Sequence, residues 1–149
     1  LITQSVDTLH DAAGAQAIHV HGRLDRACCA ACNAQWDAPA QMCADDLCPS
    51  CKAPETRPDI VWFGEVPKAL HVIAEHLETA TLFAAIGTSG QVYPAAGFVA
   101  EAARAKARTV EINLERSDIA GQFDDHRIGP ATETVPTWVD ELLADGPAA

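Results

Sequence analysis

No run in this 149-residue chain approaches the about 20 consecutive apolar residues that a helix needs to cross a bilayer. The N-terminus also lacks the basic-then-apolar layout of a secretory signal. These absences lead us to expect a soluble, cytoplasmic protein with no membrane contact. Basic residues are scarce too: ten Lys and Arg against 21 Asp and Glu leave a net charge of −11. Phosphate-backbone binding depends on clustered cations and counterion release, so nucleic acid is not expected as a direct partner. There is no internal repeat and no low-complexity tract. The chain opens on Leu1-Ile2-Thr3 rather than on methionine, inside an expected strand, which reads as a cut in a longer protein.

What is present suits one ordinary globular core with a small appended module, since 48% of the residues are hydrophobic. Six cysteines could suggest disulfides, but four fall into two close pairs, a spacing that suits a metal in a reducing compartment. Cys29-x2-Cys32, a spacer of fifteen residues and Cys48-x2-Cys51 let each pair grip one ion from a tight turn while the spacer folds back. Four thiolates close a tetrahedral Zn2+ shell, leaving no position for a reactive water, so the ion is expected to be structural. The competing reading is a set of free buried thiols. Cys28 and Cys43 are surplus; Cys28 could replace Cys29 in a slipped pairing, although the two-residue spacing favours Cys29.

From residue 27 to 58 the composition shifts to Cys, Pro, Asp and small residues, a stretch unable to bury a core unaided. It reads as a metal-stapled module of residues 27–58, inserted in a larger unit formed by 1–26 and 59–149. In that unit, apolar strands alternate with amphipathic helices. Asp59-Ile60-Val61-Trp62-Phe63 is a strand candidate, and Pro67 opens a helix with Leu70, Ile73 and Leu77 at helical spacing. Thr81 to Ile86 is a continuous apolar run, as expected of a strand buried on both faces. An alanine-rich helix over 95–105 leads to a second buried strand, Thr109 to Asn113. Val135, Trp138, Val139, Leu142 and Leu143 form a helix stripe that Pro136 helps to start, and fraying is expected after Gly146. This alternation predicts a parallel α/β sheet with right-handed crossovers.

Several short segments lie where such a sheet does chemistry. Gly87-Thr88-Ser89 and Asn113-Leu114-Glu115 each follow a strand, and open α/β sheets bind nucleotides outside the carboxyl ends of their strands. Taken alone, Thr3-Gln4-Ser5-Val6-Asp7 is a polar strand end. Ile18-His19-Val20-His21-Gly22 is an alternating strand with two histidines on one face.

Together with the cysteine pairs, Val61-Trp62-Phe63-Gly64-Glu65 and Gly129-Pro130-Ala131, these segments resemble the sirtuin family in order and spacing. Gly90 and Val92-Tyr93-Pro94-Ala95-Ala96-Gly97 look closest to its bacterial branch related to mitochondrial desuccinylases. The resemblance covers the C-terminal two-thirds of that family and implies a partial Rossmann-type sheet with helices on both faces, plus a small four-cysteine zinc ribbon. It further implies NAD-dependent protein-lysine deacylation, as deacetylase or desuccinylase, on acyl-lysine peptides or proteins, the acyl group passing to ADP-ribose with release of nicotinamide. On this resemblance His21 matches the general base that takes a proton from a ribose hydroxyl. Asp7 matches the nicotinamide-carboxamide contact and Gln4 a ribose contact, with Ser5 and Val6 in the same segment. Gly87, Thr88, Ser89, Asn113, Leu114, Glu115 and Ala131 match adenosine-side contacts. Val61, Trp62, Phe63, Gly64 and Glu65 match the segment that pairs with the substrate backbone as an added strand.

Two departures accompany the resemblance. Ser5 stands where the family has an asparagine, and a hydroxyl cannot supply both an amide donor and a carbonyl acceptor. The Gly-Ala-Gly phosphate loop and the residues that select the acyl group would lie upstream of residue 1, so the isolated chain is expected to be inactive. Two other functions compete: a zinc-stabilised NAD- or peptide-binding fragment without turnover, and a purely structural zinc-ribbon adaptor. His10, His71, His76 and His126 are expected to be surface or strand-end polar residues. Trp36, Trp138 and Phe83 are expected in the core, with Trp62 and Phe63 free to face substrate.

Overall fold

The computed structural model describes residues 1–144, so the expected fraying after Gly146 lies outside the described residues. The chain divides into two compact units, Leu1–Ile73 and Ala74 onward. No helix among the described residues is long and apolar enough to cross a membrane.

The first unit holds two small sheets. Strand β1 (Ile2–Thr3) runs parallel to β2 (Ile18–His19), joined through the single-turn helix α1 (Leu9–Ala12). Strand β3 (Gly22–Cys29) is the centre of an antiparallel sheet between β4 (Gln35–Asp37) and β5 (Thr56–Ile60). Strand β3 thus runs without a break across residue 27, where the composition shift places the start of the metal-stapled module. Gly22 is required where β3 starts: its φ is +78°, and a Cβ there would sit 2.0 Å from the Asp59 carbonyl oxygen.

Two expectations for this unit are corrected. The strand expected over Asp59–Phe63 is β5, at Thr56–Ile60, and Trp62 and Phe63 lie in an exposed turn. Arg57 and Pro58 gave no apolar signal, yet cross-strand pairing with β3 makes this stretch extended. Likewise β2 ends at His19, and Val20-His21 form the turn into β3, so the two histidines do not share a strand face.

The helix α2 (Leu70–Glu78) follows, with Ile73 and Leu77 buried, as the helical spacing predicted. The second unit is built on a three-stranded parallel sheet of β6 (Leu82–Ile86), β7 (Arg108–Asn113) and β8 (Asp125–Ile128), in that spatial order. The predicted parallel α/β architecture is present. Helix α3 (Phe98–Arg104), entered through a 3-10 turn at Ala95–Gly97, packs along β6 and β7. Helix α4 (Ala131–Ala144) covers the face carrying Val110 and Ile112 through Trp138, with Val135, Leu142, Leu82 and Ala84 around them.

Strand β6 is only partly buried, contrary to expectation, because it forms one edge of the sheet among the described residues. Pro136 does not start α4. The helix begins five residues earlier, after Gly129-Pro130, and Pro136 lies inside it.

Candidate functional site

The four cysteines of the two pairs converge in the first unit, every sulfur within 4.8 Å of the others. Cys29 Sγ lies 3.6 Å from Cys51 Sγ, and Cys32 Sγ 3.7 Å from Cys48 Sγ. A tetrahedral zinc with Zn–S near 2.3 Å requires about 3.8 Å between sulfurs, so the donor set fits one Zn2+. The two turns are copies of each other. Asn33 N donates to Cys29 O at 2.9 Å and Lys52 N to Cys48 O at 3.0 Å, while Cys29 N reaches Ala34 O and Cys48 N reaches Ala53 O. Asn33 and Lys52 each take a positive φ, 59° and 64°, in the turns that bring Ala34 O and Ala53 O back to the Cys29 and Cys48 amides.

The Cys51 and Ser50 amides pull the Cys48 thiol down to about 6. Cys32 goes the other way: the Ala34 amide favours its thiolate, but the thiols of Cys51, Cys29 and Cys48, together with burial, push it up to about 12. Four sulfurs this close cannot all ionise without a cation among them, which is the charge a bound zinc supplies. Cys28 is outside the cluster, its Sγ 3.9 Å from Pro58 O, and Cys43 is exposed on the spacer. The slipped pairing is therefore excluded.

The same unit gathers the residues 4–7 segment around His21. His21 Nδ1 lies 3.1 Å from the Gln4 carbonyl oxygen, which only accepts, so Nδ1 carries the proton and Nε2 holds the free lone pair of the neutral ring. Val6 O accepts from Leu24 N at 2.9 Å, fixing the segment to β3. Ser5 Oγ donates to Asp7 Oδ2, and Asp7 Oδ1 accepts from Leu9 N at 2.9 Å. The Ser5 hydroxyl, then the Leu9 amide, hold the Asp7 carboxyl below its ordinary value. His19 is differently placed: Nε2 meets Asp11 Oδ2 at 2.9 Å and Nδ1 faces Ser5 O at 3.4 Å. Both of its nitrogens face acceptor oxygens of the protein, so neither is left open to a substrate group.

Val61 to Glu65 lies beside this group, since Val61 N donates to His21 O at 2.8 Å. Trp62, Phe63, Gly64 and Glu65 are exposed. Arg57 on β5 grips Glu65 with both terminal nitrogens, and the Glu65 carboxylate also accepts the Trp62 amide at 2.9 Å. The Arg57 guanidinium, followed by that amide, holds the Glu65 carboxyl down at about 2.

In the second unit, three segments meet along the carboxyl edge of the parallel sheet. Gly87 N donates to Ile112 O at 3.0 Å, and Asn113 Nδ2 donates to Thr88 O at 2.8 Å. Gly129 N donates to Asn113 O at 2.9 Å, two residues before Ala131 opens α4. Asn113 is thus the joint that ties the loops after β6 and β8 to the end of β7, while Ser89, Leu114 and Glu115 project as exposed residues. Gly90 must be glycine, because at φ +71° a Cβ would approach Ile119 Cγ1 to 2.4 Å.

One feature here escaped the sequence reading. Glu111, only 1% exposed on β7, accepts from Ser117 N at 3.0 Å and meets His126 Nδ1 at 3.0 Å. It pins the loop after β7 back to its own strand. His126 is therefore a partner of a buried carboxylate rather than a plain surface residue. A glutamate between Val110 and Ile112, in a strand expected to be buried, was the available signal.

A parallel sheet whose loops converge outside its carboxyl ends defines a nucleotide-binding type of unit, and here it is joined in one chain to a four-cysteine ribbon. Residues 1–94 match the Sir2 family, to which this chain belongs. An NAD-dependent protein deacylase of Caulobacter vibrioides is 49% identical over 146 residues, covering 97% of this chain and 61% of the relative. One of Bdellovibrio bacteriovorus is 46% identical over 145 residues, covering 96% and 61%. The chain thus spans about three fifths of the length of these curated relatives. Among solved structures, a Sir2 homolog in complex with NAD matches with a TM-score of 0.88 at 30% identity, covering 97% of this chain and 58% of that one. Sir2Af2 bound to a myristoylated histone peptide matches with a TM-score of 0.77 at 29% identity, covering 94% and 63%.

Proposed function

We propose that this chain carries the zinc module, the general base and the adenosine-side loops of an NAD-dependent protein-lysine deacylase that acts on acyl-lysine peptides in the cytoplasm. The observation that carries this reading is the Asn113 joint at the carboxyl edge of the sheet, in a Sir2-family chain with relatives named NAD-dependent protein deacylase. NAD, when bound, would supply the activated ribose carbon for acyl transfer. His21 accepts the proton of a ribose hydroxyl on Nε2 while the Gln4 carbonyl keeps Nδ1 protonated, a contribution of about 10²–10⁴-fold for a positioned base. Asp7, ionised and held by Ser5 and Leu9, presents carboxylate oxygens to the nicotinamide amide. Gly87, Thr88, Ser89, Asn113, Leu114, Glu115 and Ala131 bind the adenosine side. Val61 to Glu65 receives the peptide as an added strand. Zn2+ on Cys29, Cys32, Cys48 and Cys51 contributes folding free energy only, because four thiolates leave no open position.

The test is deacylation of acetyl-lysine and succinyl-lysine peptides with NAD by this chain and by the full-length protein in parallel, following nicotinamide release; turnover is expected of the full-length protein. Turnover dependent on both NAD and His21 supports the enzyme. A second reading, a zinc-stabilised module that binds NAD or peptide without turnover, is favoured by Ser5, whose hydroxyl is engaged by Asp7. Saturable NAD binding without nicotinamide release, restored to turnover by Ser5→Asn, would establish it.

A further inference from the structure

Arg57 sits on β5 opposite Cys28, and the preceding residue, Thr56, is opposite Cys29 in the four-sulfur cluster. Its side chain leaves the ribbon and gathers the segment that follows β5. Nη2 donates to Ile60 O at 2.8 Å and to Glu65 Oε2 at 2.8 Å, while Nη1 reaches Glu65 Oε1. The guanidinium carbon lies 5.8 Å from the centroid of the Trp62 ring. Through Glu65 the same side chain also engages the Trp62 amide. Backbone bonds hold the two ends of the segment, Val61 N to His21 O and Lys68 N to Val20 O. Its exposed middle is fixed at Trp62 and Glu65, the two points that Arg57 commands, with Phe63 and Gly64 spanning the gap between them.

An added strand needs a receiving segment whose backbone groups are already in register, because ordering a loop on binding lowers affinity. Resting on the assignment of Val61 to Glu65 as the peptide-receiving segment, we infer that Arg57 is a positioning residue. It clamps Trp62 and Glu65 so that the turn between them is preorganised for an extended acyl-lysine peptide, and it links that turn to the zinc ribbon through β5. The planar fork is what the role requires, since it meets both carboxylate oxygens and the ring face at once; an ammonium group offers only a point charge.

The test uses the zinc-loaded chain, with hydrogen exchange at the Trp62 amide and binding of an acetyl-lysine peptide and of NAD as separate readouts. Arg57→Gln is expected to lower Trp62 amide protection and peptide affinity each by about tenfold, the scale of one charge-assisted hydrogen bond. Zinc content and NAD affinity should stay at wild-type values. Arg57→Lys should fall between the two, and it carries the test if the Gln variant loses its zinc. Wild-type Trp62 protection in a folded, zinc-loaded Arg57 variant overturns the clamp, whatever happens to peptide affinity. A wild-type chain that binds no peptide, while Arg57→Gln still loosens Trp62, overturns the peptide assignment and leaves the clamp standing.

Discussion

His21 and His19 are two residues apart and differ in what their ring nitrogens face. The Gln4 carbonyl settles the His21 tautomer, whereas Asp11 and Ser5 occupy both nitrogens of His19. In the proposed reaction the base is His21, and in the full-length protein His21→Ala should reduce nicotinamide release by about 10²–10⁴-fold with zinc content and melting temperature unchanged. A variant with wild-type turnover would remove His21 from the chemistry. Gly22 beside it is a backbone requirement. Gly22→Ala would place a methyl group 2.0 Å from the Asp59 carbonyl oxygen at a positive φ, so a loss of about 2–4 kcal/mol is expected in denaturant unfolding.

At the scale of elements, the end of β7 carries the second unit's candidate site, and Glu111 holds the loop that follows it. Burial opposes its ionisation, but the Ser117 hydrogen bond and His126 outweigh burial and keep the carboxyl below its ordinary value of 4.5. A carboxyl with a lowered folded pKa contributes its full stability above the unfolded value and loses it as the pH falls below. Glu111→Gln should thus destabilise the β7–β8 sheet by about 1–3 kcal/mol at pH 7. The difference from wild type should shrink as the pH drops below about 4.5, which urea titrations at pH 7, 5 and 3.5 would show. An offset constant across that range would mean that charge on Glu111 plays no part.

For the whole molecule, the two units differ in what holds them. The sheet of the second unit has an apolar cluster of Val110, Ile112 and Trp138 beneath α4, whereas the ribbon of the first has few buried apolar side chains and relies on its four sulfurs. Cys48→Ser, or extraction of zinc by a chelator, should abolish slow hydrogen exchange in β3, β4 and β5 while amides of β6, β7 and β8 stay protected. A Cys48→Ser chain that kept one zinc and its melting temperature would refute the structural role of the ion.

What could be read from the sequence was whatever depends on neighbours along the chain. The spacing of two cysteine pairs predicted the four-sulfur site, apolar runs located β6 and β7, helical periodicity located α2 and the stripe on α4, and motif order pointed to the family. Boundaries set by pairing were misplaced: β5 starts at Thr56 because β3 lies beside it, and β2 stops at His19 because the chain turns there. The short strand β8 was invisible, having too few apolar residues to show a period. Only the tertiary structure brought Asn113 to Thr88, Glu111 to His126 and Arg57 to Glu65. Each is a polar contact between chemically ordinary residues whose partners are chosen by sheet register and loop path, and periodicity carries no information about either. The sequence by itself determined which chemical groups this protein has and which elements form; register and chain path decided which of those groups meet.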